Sequence, residues 1–475
     1  MIYICVRGFI YLCVQYKKVY KKYLLLLLVV KNWVKWLSDL IKTIDNMKWN
    51  RTISLAFISL AIGFFMWGVI STIGILTYPA YHNIYYLIYI SAIPLIGDLF
   101  LSKLSDISLG RKTTFFITMF LYSLGSIIFI VNSAFLHENI YITLFAYTIA
   151  IIGVEGEVPV ALSLIAELFP LKYREKMLII LPNFDNIGAV IASLIAFLTY
   201  YLSSSFKIQE VSMGIVALIG AIIAIIVRLK LPESIRWLVA KGNINKAKNE
   251  INKIKSESAH AESEQTYSFP KKVGLGYRYT FLVLIGLSQY LTYGLMAYVI
   301  ADYYFSGLSL VLVVFYANLG ASIAGLIATL IVDKLGSRRF ALLSYFGGFL
   351  TMIPIFLYVI MFNKYVSLFY VLLFLNMMFS ELGWAVRTVY EPILMPTATR
   401  AFMIGLVRLP IIVSYTISIY LTSSFNELNF VIYNMILWGV GALSSGIWYI
   451  KGFDTNKIPL EKITGEEKVL IKETY

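Results

Sequence analysis

Twelve apolar stretches, each about twenty residues or longer, are separated by short polar turns. They fall at roughly 52–79, 84–104, 113–133, 140–168, 177–202 and 210–229, then at roughly 279–304, 308–332, 340–361, 365–390, 402–422 and 428–450. At 1.5 Å per residue, each is long enough to cross about 30 Å of hydrocarbon as a helix. One long polar segment, 230–277, divides them six and six. The pattern predicts an all-α integral membrane protein with twelve transmembrane helices. Residues 47–229 and 278–451 form its two six-helix bundles, and 452–475 form a polar tail.

Within the dividing segment, Ile244, Ala247, Ile251 and Ile254 recur at helical spacing among lysines, which predicts a short amphipathic helix. The polar run Ser256–Ser268 reads as a linker. Residues 1–46 fit no span. The patch at 8–14 and the run Leu24–Val30 are too short to cross, and Lys17, Lys18, Lys21 and Lys22 separate them. Two readings stand: a basic segment lying on the membrane surface, or a native start at Met47 with 1–46 excluded from the fold.

The two halves repeat one another. Asp106 followed by Arg111 and Lys112 is echoed 227 positions later by Asp333, Arg338 and Arg339; Pro170 with Arg174 is echoed 226 positions later by Pro396 and Arg400. A duplicated hydrophobic unit is the mark of a secondary transporter. Basic residues gather in alternate turns: Lys103, Arg111 and Lys112; Lys172, Arg174 and Lys176; Lys334, Arg338 and Arg339; and the tail. The positive-inside bias then places both termini and the long segment in the cytoplasm.

Composition narrows the classes. Apolar residues make up 59% of the chain and charged ones 14%, and the net charge is +14. The positive charge sits in turns, which fits membrane orientation rather than nucleic-acid binding. The two cysteines, Cys5 and Cys13, precede the predicted bundles, so no disulfide or cysteine metal site is expected there. Nor does the sequence offer a nucleophile–base pair, a metal cluster or a phosphate loop, so neither an enzyme nor a self-contained ATP-driven pump is expected, and no cofactor.

Past the sixth span the chain reads Pro232, Glu233, Ser234, Ile235, Arg236, Trp237. This resembles the PESxRW signature of the sugar-porter branch of the major facilitator superfamily. The turn from Asp106 through Gly110, Arg111 and Lys112 resembles that superfamily's D-x-x-G-R-[RK] turn, and Asp333, Gly336, Arg338 and Arg339 resemble its second copy. Glu167, Pro170 and Arg174 are similar to its E-x-x-P-x-x-x-R ending. The resemblance covers about 48–450. It implies a cytoplasmic gate built from Asp106, Arg111, Lys112, Glu167, Arg174, Glu233, Arg236, Asp333, Arg338, Arg339 and Arg400. For the basic members a plain positive-inside role is the rival reading. Departures from the pattern are Ser102 in place of Gly, Glu175 after Arg174, and Ile393 where an acid is usual, so the gate is expected to be lopsided.

Charges inside spans are expensive and mark cavities. Asn183 and Asp185 in span 5 and Glu157 in span 4 are candidates for the cavity, with Asp185 and Glu157 as proton carriers. Glu157 sits in a phrase resembling the GGE-x-P of metabolite-carrying relatives. Glu155, about 200° away around the helix, is assigned to a helix interface. Asp98 shares a helical face with Ser102 and Asp106 and fits either cavity or gate. Gln289 and Tyr293 in span 7, loosely resembling a sugar-binding segment, and Trp384 in span 10 complete the candidate cavity. Arg408 in span 11 either clamps a substrate carboxylate or satisfies a span 10 glutamate. The expected function is movement of a small organic solute (sugar, organic acid or aromatic acid) across the cytoplasmic membrane by a monomer, through proton symport. A uniporter, a drug-type exporter and a non-transporting nutrient sensor are the alternatives.

Overall fold

The computed structural model describes residues 39–78, 81, 83–136, 139–203, 205–255, 273–361 and 365–466. A short helix α1 (39–45) leads into α2 (Arg51–Leu76), whose Asn50 cap accepts from the Ile53 amide at 2.9 Å. Next, α3 begins as Ile84–Ala92 and continues through two wide π-type turns, Gly97–Leu101 and Ser105–Leu109. The first bundle continues with α4 (Gly110–Phe135), α5 (Ile140–Leu168), α6 (Leu171–Ser203) and α7 (Phe206–Arg228). Two short helices follow, α8 (Ile235–Ala240) and α9 (Ile244–Lys255). The second bundle holds α10 (Leu275–Tyr304), α11 (Leu308–Leu335), α12 (Ser337–Met361), α13 (Val366–Ile393), α14 (Thr397–Thr422) and α15 (Glu427–Lys451), and α16 (Leu460–Thr464) closes the described tail.

Among the described residues, eleven helical segments are long and apolar enough to span a membrane, and one of them, Ile84–Phe135, is 52 residues long. A straight helix of that length would measure about 78 Å, more than twice the hydrocarbon thickness. Gly110 divides it: its φ of +78° turns the chain back between α3 and α4, a conformation that disfavours any residue with a Cβ. Counting its two limbs separately gives twelve long helices among the described residues, six in each half. The second half repeats the turn at Gly336, φ +76°, between α11 and α12.

Large apolar side chains such as Phe100, Phe120, Ile226, Leu330 and Ile450 project outward, as a lipid-facing surface requires. Inside, small residues let helices touch backbone to backbone, the usual solution where lipid removes the hydrophobic drive. A Cβ on Gly68 would lie 1.7 Å from the carbonyl oxygen of Asp185, so α2 rests directly on α6. The halves meet where α3 packs on α14 and where the second part of α6 packs on α11.

The amphipathic stretch forms α9 and buries Ala247, Ile251 and Ile254; the Ser256–Ser268 linker lies outside the described residues. So do residues 1–38, including Cys5 and Cys13. Residues 39–46 do not stand apart from the body: Leu40, Ile44 and Asp45 are buried against it.

Candidate functional site

A cavity with about 110 Å³ of free room lies between the two halves. Aromatic rings make up part of its wall, among aliphatic and polar residues. Trp67 on α2 meets Trp384 on α13 across the boundary, ring centres 5.8 Å apart, and Tyr147, Tyr290, Tyr293, Tyr298 and Tyr415 also line the space, with aliphatic side chains such as Ile75, Leu87 and Ile151 between them. Tyr293 Oη lies 2.6 Å from Asn318 Oδ1 and 3.2 Å from Asn186 Oδ1, which ties α10, α11 and α6 together at the wall.

Three carboxylates line this cavity: Glu155 on α5, Asp185 on α6 and Glu381 on α13. Their surroundings differ. Arg408 donates through Nη2 to Glu155 Oε2 at 2.6 Å and through Nε to Asp98 Oδ2 at 2.7 Å, so one guanidinium serves two acids. Asp98 is fully buried in the first π-type turn of α3. Among the described residues, neither Asp185 nor Glu381 forms an ion pair. Asn186 holds both, donating its backbone N–H to Asp185 Oδ1 and its Nδ2 to Glu381 Oε2 at 2.8 Å. Glu381 is 2% exposed, and its Oε1 has no hydrogen-bond partner. Helix α6 breaks over 181–183 beside Pro182, which lacks the N–H an unbroken helix needs. Asp185 thereby falls in the first turn of a new helical segment, where free amides and the helix dipole favour a negative charge.

On the face that carries the basic turns, the halves are tied shut. Arg111 donates to Asp106 (2.6 Å) and to Glu167 (3.0 Å), and Arg400 from the second half reaches the same Glu167 at 2.7 Å. Asp106 accepts the amide of Phe402 at 2.7 Å, and Ser234 Oγ donates to Glu167. Glu233 caps α4 by accepting the amides of Arg111 (2.9 Å) and Lys112 (3.2 Å). In the second half Asp454 has that role: it accepts the Arg338 amide at 3.0 Å and its Nε at 3.1 Å. Lys176 and Asp333 pair at 2.9 Å between α6 and α11.

Arg236 joins distant parts of the chain, donating to Asp45 (2.6 Å), to Glu461 (2.9 Å) and to the Glu167 carbonyl (2.6 Å). Burial pushes the Glu461 carboxyl up, but Arg236 outweighs it and holds the group below its ordinary value. Burial dominates at Asp45 and raises it.

The model of the Major Facilitator Superfamily matches residues 54–409 of this sequence. The chain belongs to that superfamily. A niacin transporter of Acinetobacter baylyi, NiaP, is 31% identical over 155 residues, 32% of either chain. A putative niacin/nicotinamide transporter of Bacillus subtilis is 30% identical over 145 residues, 30% of this chain and 34% of that one. The matched stretch spans about a third of the length of each of these relatives. Both carry the name of a transporter, not of an enzyme. Among solved structures, the proton:xylose symporter XylE of E. coli, bound to 6-bromo-6-deoxy-D-glucose, superposes with a TM-score of 0.69 over 88% of this chain and 100% of that one. Their sequence identity is 14%, so that likeness speaks for the fold.

Within this superfamily member, Asp185, Gln289, Tyr293 and Trp384 line the cavity. Glu157 does not, and its assignment is corrected: it accepts from Thr118 Oγ1 at 2.6 Å and forms a buried ion pair with Arg228 at the end of α7. Glu155, assigned to a helix interface, takes its place on the cavity wall. The rotation of α5 decides this, because residues two apart cannot share a face. Asn183 is also displaced from the cavity, donating to the Ser322 carbonyl at 2.9 Å between α6 and α11. Arg408 does not satisfy a span 10 glutamate: its protein carboxylates come from α3 and α5, not from α13.

Of the gate candidates, Arg174 donates to the Ile458 carbonyl at 2.6 Å in the tail rather than to an acid. Lys112 reaches the Leu229 carbonyl at 3.3 Å, and Arg339 is exposed, outside the network. Sequence reasoning missed Arg228, Asp454, Glu461 and Asp45. It also missed a relation that arithmetic reveals: Glu155 and Glu381 stand 226 positions apart, the spacing of the repeat itself.

Proposed function

We propose that this protein is a secondary transporter that moves a small aromatic organic solute across a membrane by alternating access, coupled to protons. The aromatic cavity between the halves, holding two carboxylates that no cation neutralises, carries this reading. A buried carboxylate without a partner is unstable as an anion and takes up a proton or a cation. Asp185 and Glu381, held by one asparagine between the two halves, are thus the coupling element, and either half can change its hold on them as the halves rock. The sign of the coupling follows the cargo's charge: symport for a neutral or anionic solute, exchange for a cation.

The basic face is the cytoplasmic one in this proposal, with both termini on that side. The hub of Glu167, Arg111, Arg400 and Asp106 is its gate, closed here and broken in the opposite state, which gives the bistable element alternating access needs. An aromatic ring in the cargo is favoured over a sugar by the paired tryptophans and by the likeness to niacin transporters. Gln289, the residue most suited to sugar hydroxyls, already accepts from Arg387 at 2.8 Å.

The test is uptake into proteoliposomes of labelled nicotinate, xylose and benzyltrimethylammonium, with a pH gradient imposed in either direction. An aromatic probe is expected to enter faster than into protein-free vesicles and to respond to the gradient. That response should vanish in Asp185→Asn. Uptake indifferent to both gradients would make the protein a facilitator.

A further inference from the structure

The geometry points to a cationic cargo: the cavity binds a small aromatic solute by a positively charged nitrogen seated between Asp185 and Glu381. The inference rests on the transporter reading, whose cavity it uses, and adds the charge of what occupies it.

Charge balance is the first support. Three carboxylates line the cavity, Glu155, Asp185 and Glu381, and the one guanidinium that pairs with any of them, Arg408, is shared between Glu155 and the buried Asp98. The nearby Arg387 is matched by Glu391 on its own helix at 2.8 Å. An anionic solute entering this space meets carboxylates first. What positive charge is within reach, including the free Nη1 of Arg408, is already matched by acids. For a cation the same arrangement supplies two uncompensated acceptors, and Glu381 Oε1 is buried with no protein group to satisfy it.

The second support is the wall. Cations are attracted to the faces of aromatic rings, tryptophan most strongly, and more so once desolvated. The cavity already shows this chemistry at its back. Arg387 lies 4.9 Å from the ring centre of Trp384, and Arg408 lies 5.7 Å from that of Trp67. A cation seated beside this pair of indoles would meet an aromatic side chain and a carboxylate from each half. Binding would then draw the halves together. Trp384 Nε1 also lacks a partner and offers the solute one donor.

A proton and such a cation compete for the same carboxylates, so transport of the cation is an exchange. The ionisable groups around the pair are Glu155 with Arg408 and Asp98, Arg387 with Glu391, and the hydroxyls of Tyr290, Tyr293 and Tyr298.

The experiment is isothermal titration calorimetry on the purified full chain in nanodiscs, with benzyltrimethylammonium, nicotinate and benzyl alcohol as probes. The quaternary ammonium keeps its charge at every pH, so any pH effect belongs to the protein. The expected result is binding of benzyltrimethylammonium roughly 10–100-fold tighter than of nicotinate or benzyl alcohol. That preference should be lost in Asp185→Asn and in Glu381→Gln. Lowering the pH from about 8 to about 5 should weaken the wild-type protein's hold on the cation, as protons fill the site. The pH series needs no variant, so it stands even if a substitution prevents folding. Nicotinate binding as tightly as the cation, or cation binding unchanged by pH, would overturn the inference. The transporter reading fails separately, on vesicle uptake: a probe that binds but never crosses sinks transport and leaves the cationic site standing. If both hold, benzyltrimethylammonium uptake rises when the vesicle interior is the acidic side.

Discussion

Glu155 and Glu381 occupy the same place in the two repeats, yet their charges meet opposite fates. In the first half, Arg408 reaches across from the second half and neutralises Glu155 together with Asp98. In the second half no arginine answers, and Glu381 shares only an asparagine with Asp185. Duplication supplied two equivalent acids facing one cavity. One became part of the wall, and the other stayed available for chemistry. The basic face shows the same divergence. Glu167 gathers Arg111 and Arg400, whereas its counterpart Ile393 gathers none and the second half leans on Asp454 and the tail. The lesson is that a symmetric scaffold can hold a site whose charge is deliberately one-sided.

Removing Arg408 breaks this contrast most severely. Arg408→Met leaves Asp98 and Glu155 both buried and unpaired, with an expected loss of ~3–5 kcal/mol in stability. Thermal unfolding in detergent measures it, and Asp98→Asn with Glu155→Gln in the same chain should restore much of the loss. Persistence of the wild-type melting temperature in Arg408→Met would mean that the two glutamates are not distinguished by charge compensation.

The gate comparison comes next in size. Glu167→Gln weakens contacts to two buried arginines, worth ~1.5–3 kcal/mol per charged hydrogen bond. The population closed on the basic face should fall accordingly. With Cys5 and Cys13 replaced, a single cysteine at Phe402 should label about ten times faster in this background. Equal labelling with and without Glu167→Gln would remove the hub from the gate.

The paired glycines sharpen the comparison at smaller scale. Alanine at either position costs about 1–3 kcal/mol for a positive-φ, extended backbone that is essentially restricted to glycine. At Gly110 the new Cβ would also sit 2.4 Å from Glu233 Oε2, against 3.0 Å from Asp454 Oδ1 at Gly336. Gly110→Ala should therefore lower the melting temperature more than Gly336→Ala; the reverse order would contradict the tighter cap in the first half.

The smallest effect concerns pH. Because Glu461 has a folded value below its unfolded one, its contribution is complete above the ordinary glutamate value of about 4.3 and is lost only as pH falls through the lower folded value. The melting difference between the protein and Glu461→Gln should stay level from neutral pH down to about 5 and shrink only below about 4.3. A difference that already declines near neutrality would place the Arg236 contact elsewhere.

The fold could be read from the chain because hydrocarbon thickness imposes a length on every span and the turns carry charge. The ionic hub on the basic face could be picked out for the same reason: Asp106, Arg111, Glu167 and Arg400 stand at span ends, where little else is polar. The cavity acids were harder. Choosing between Glu155 and Glu157 depends on how α5 is rotated, and the repeat offset to Glu381 was a better guide than the local phrase. Arg228 stands at the end of a span, where no sequence pattern ties it to Glu157, and only the fold shows its side chain turning inward to that acid. Asp45, Asp454 and Glu461 lie outside the repeats, and no local pattern links them to their partners.

Arg236 has a consequence for the order in which this protein is made. It is synthesised once the first six spans are complete, but its partner Glu461 follows 225 positions later. At ~5–20 residues per second the interval is of the order of ten to forty-five seconds. During that time Arg236 has Asp45 but not its second carboxylate. The clamp is therefore a late fastening of biogenesis, set only after the whole second bundle has been translated.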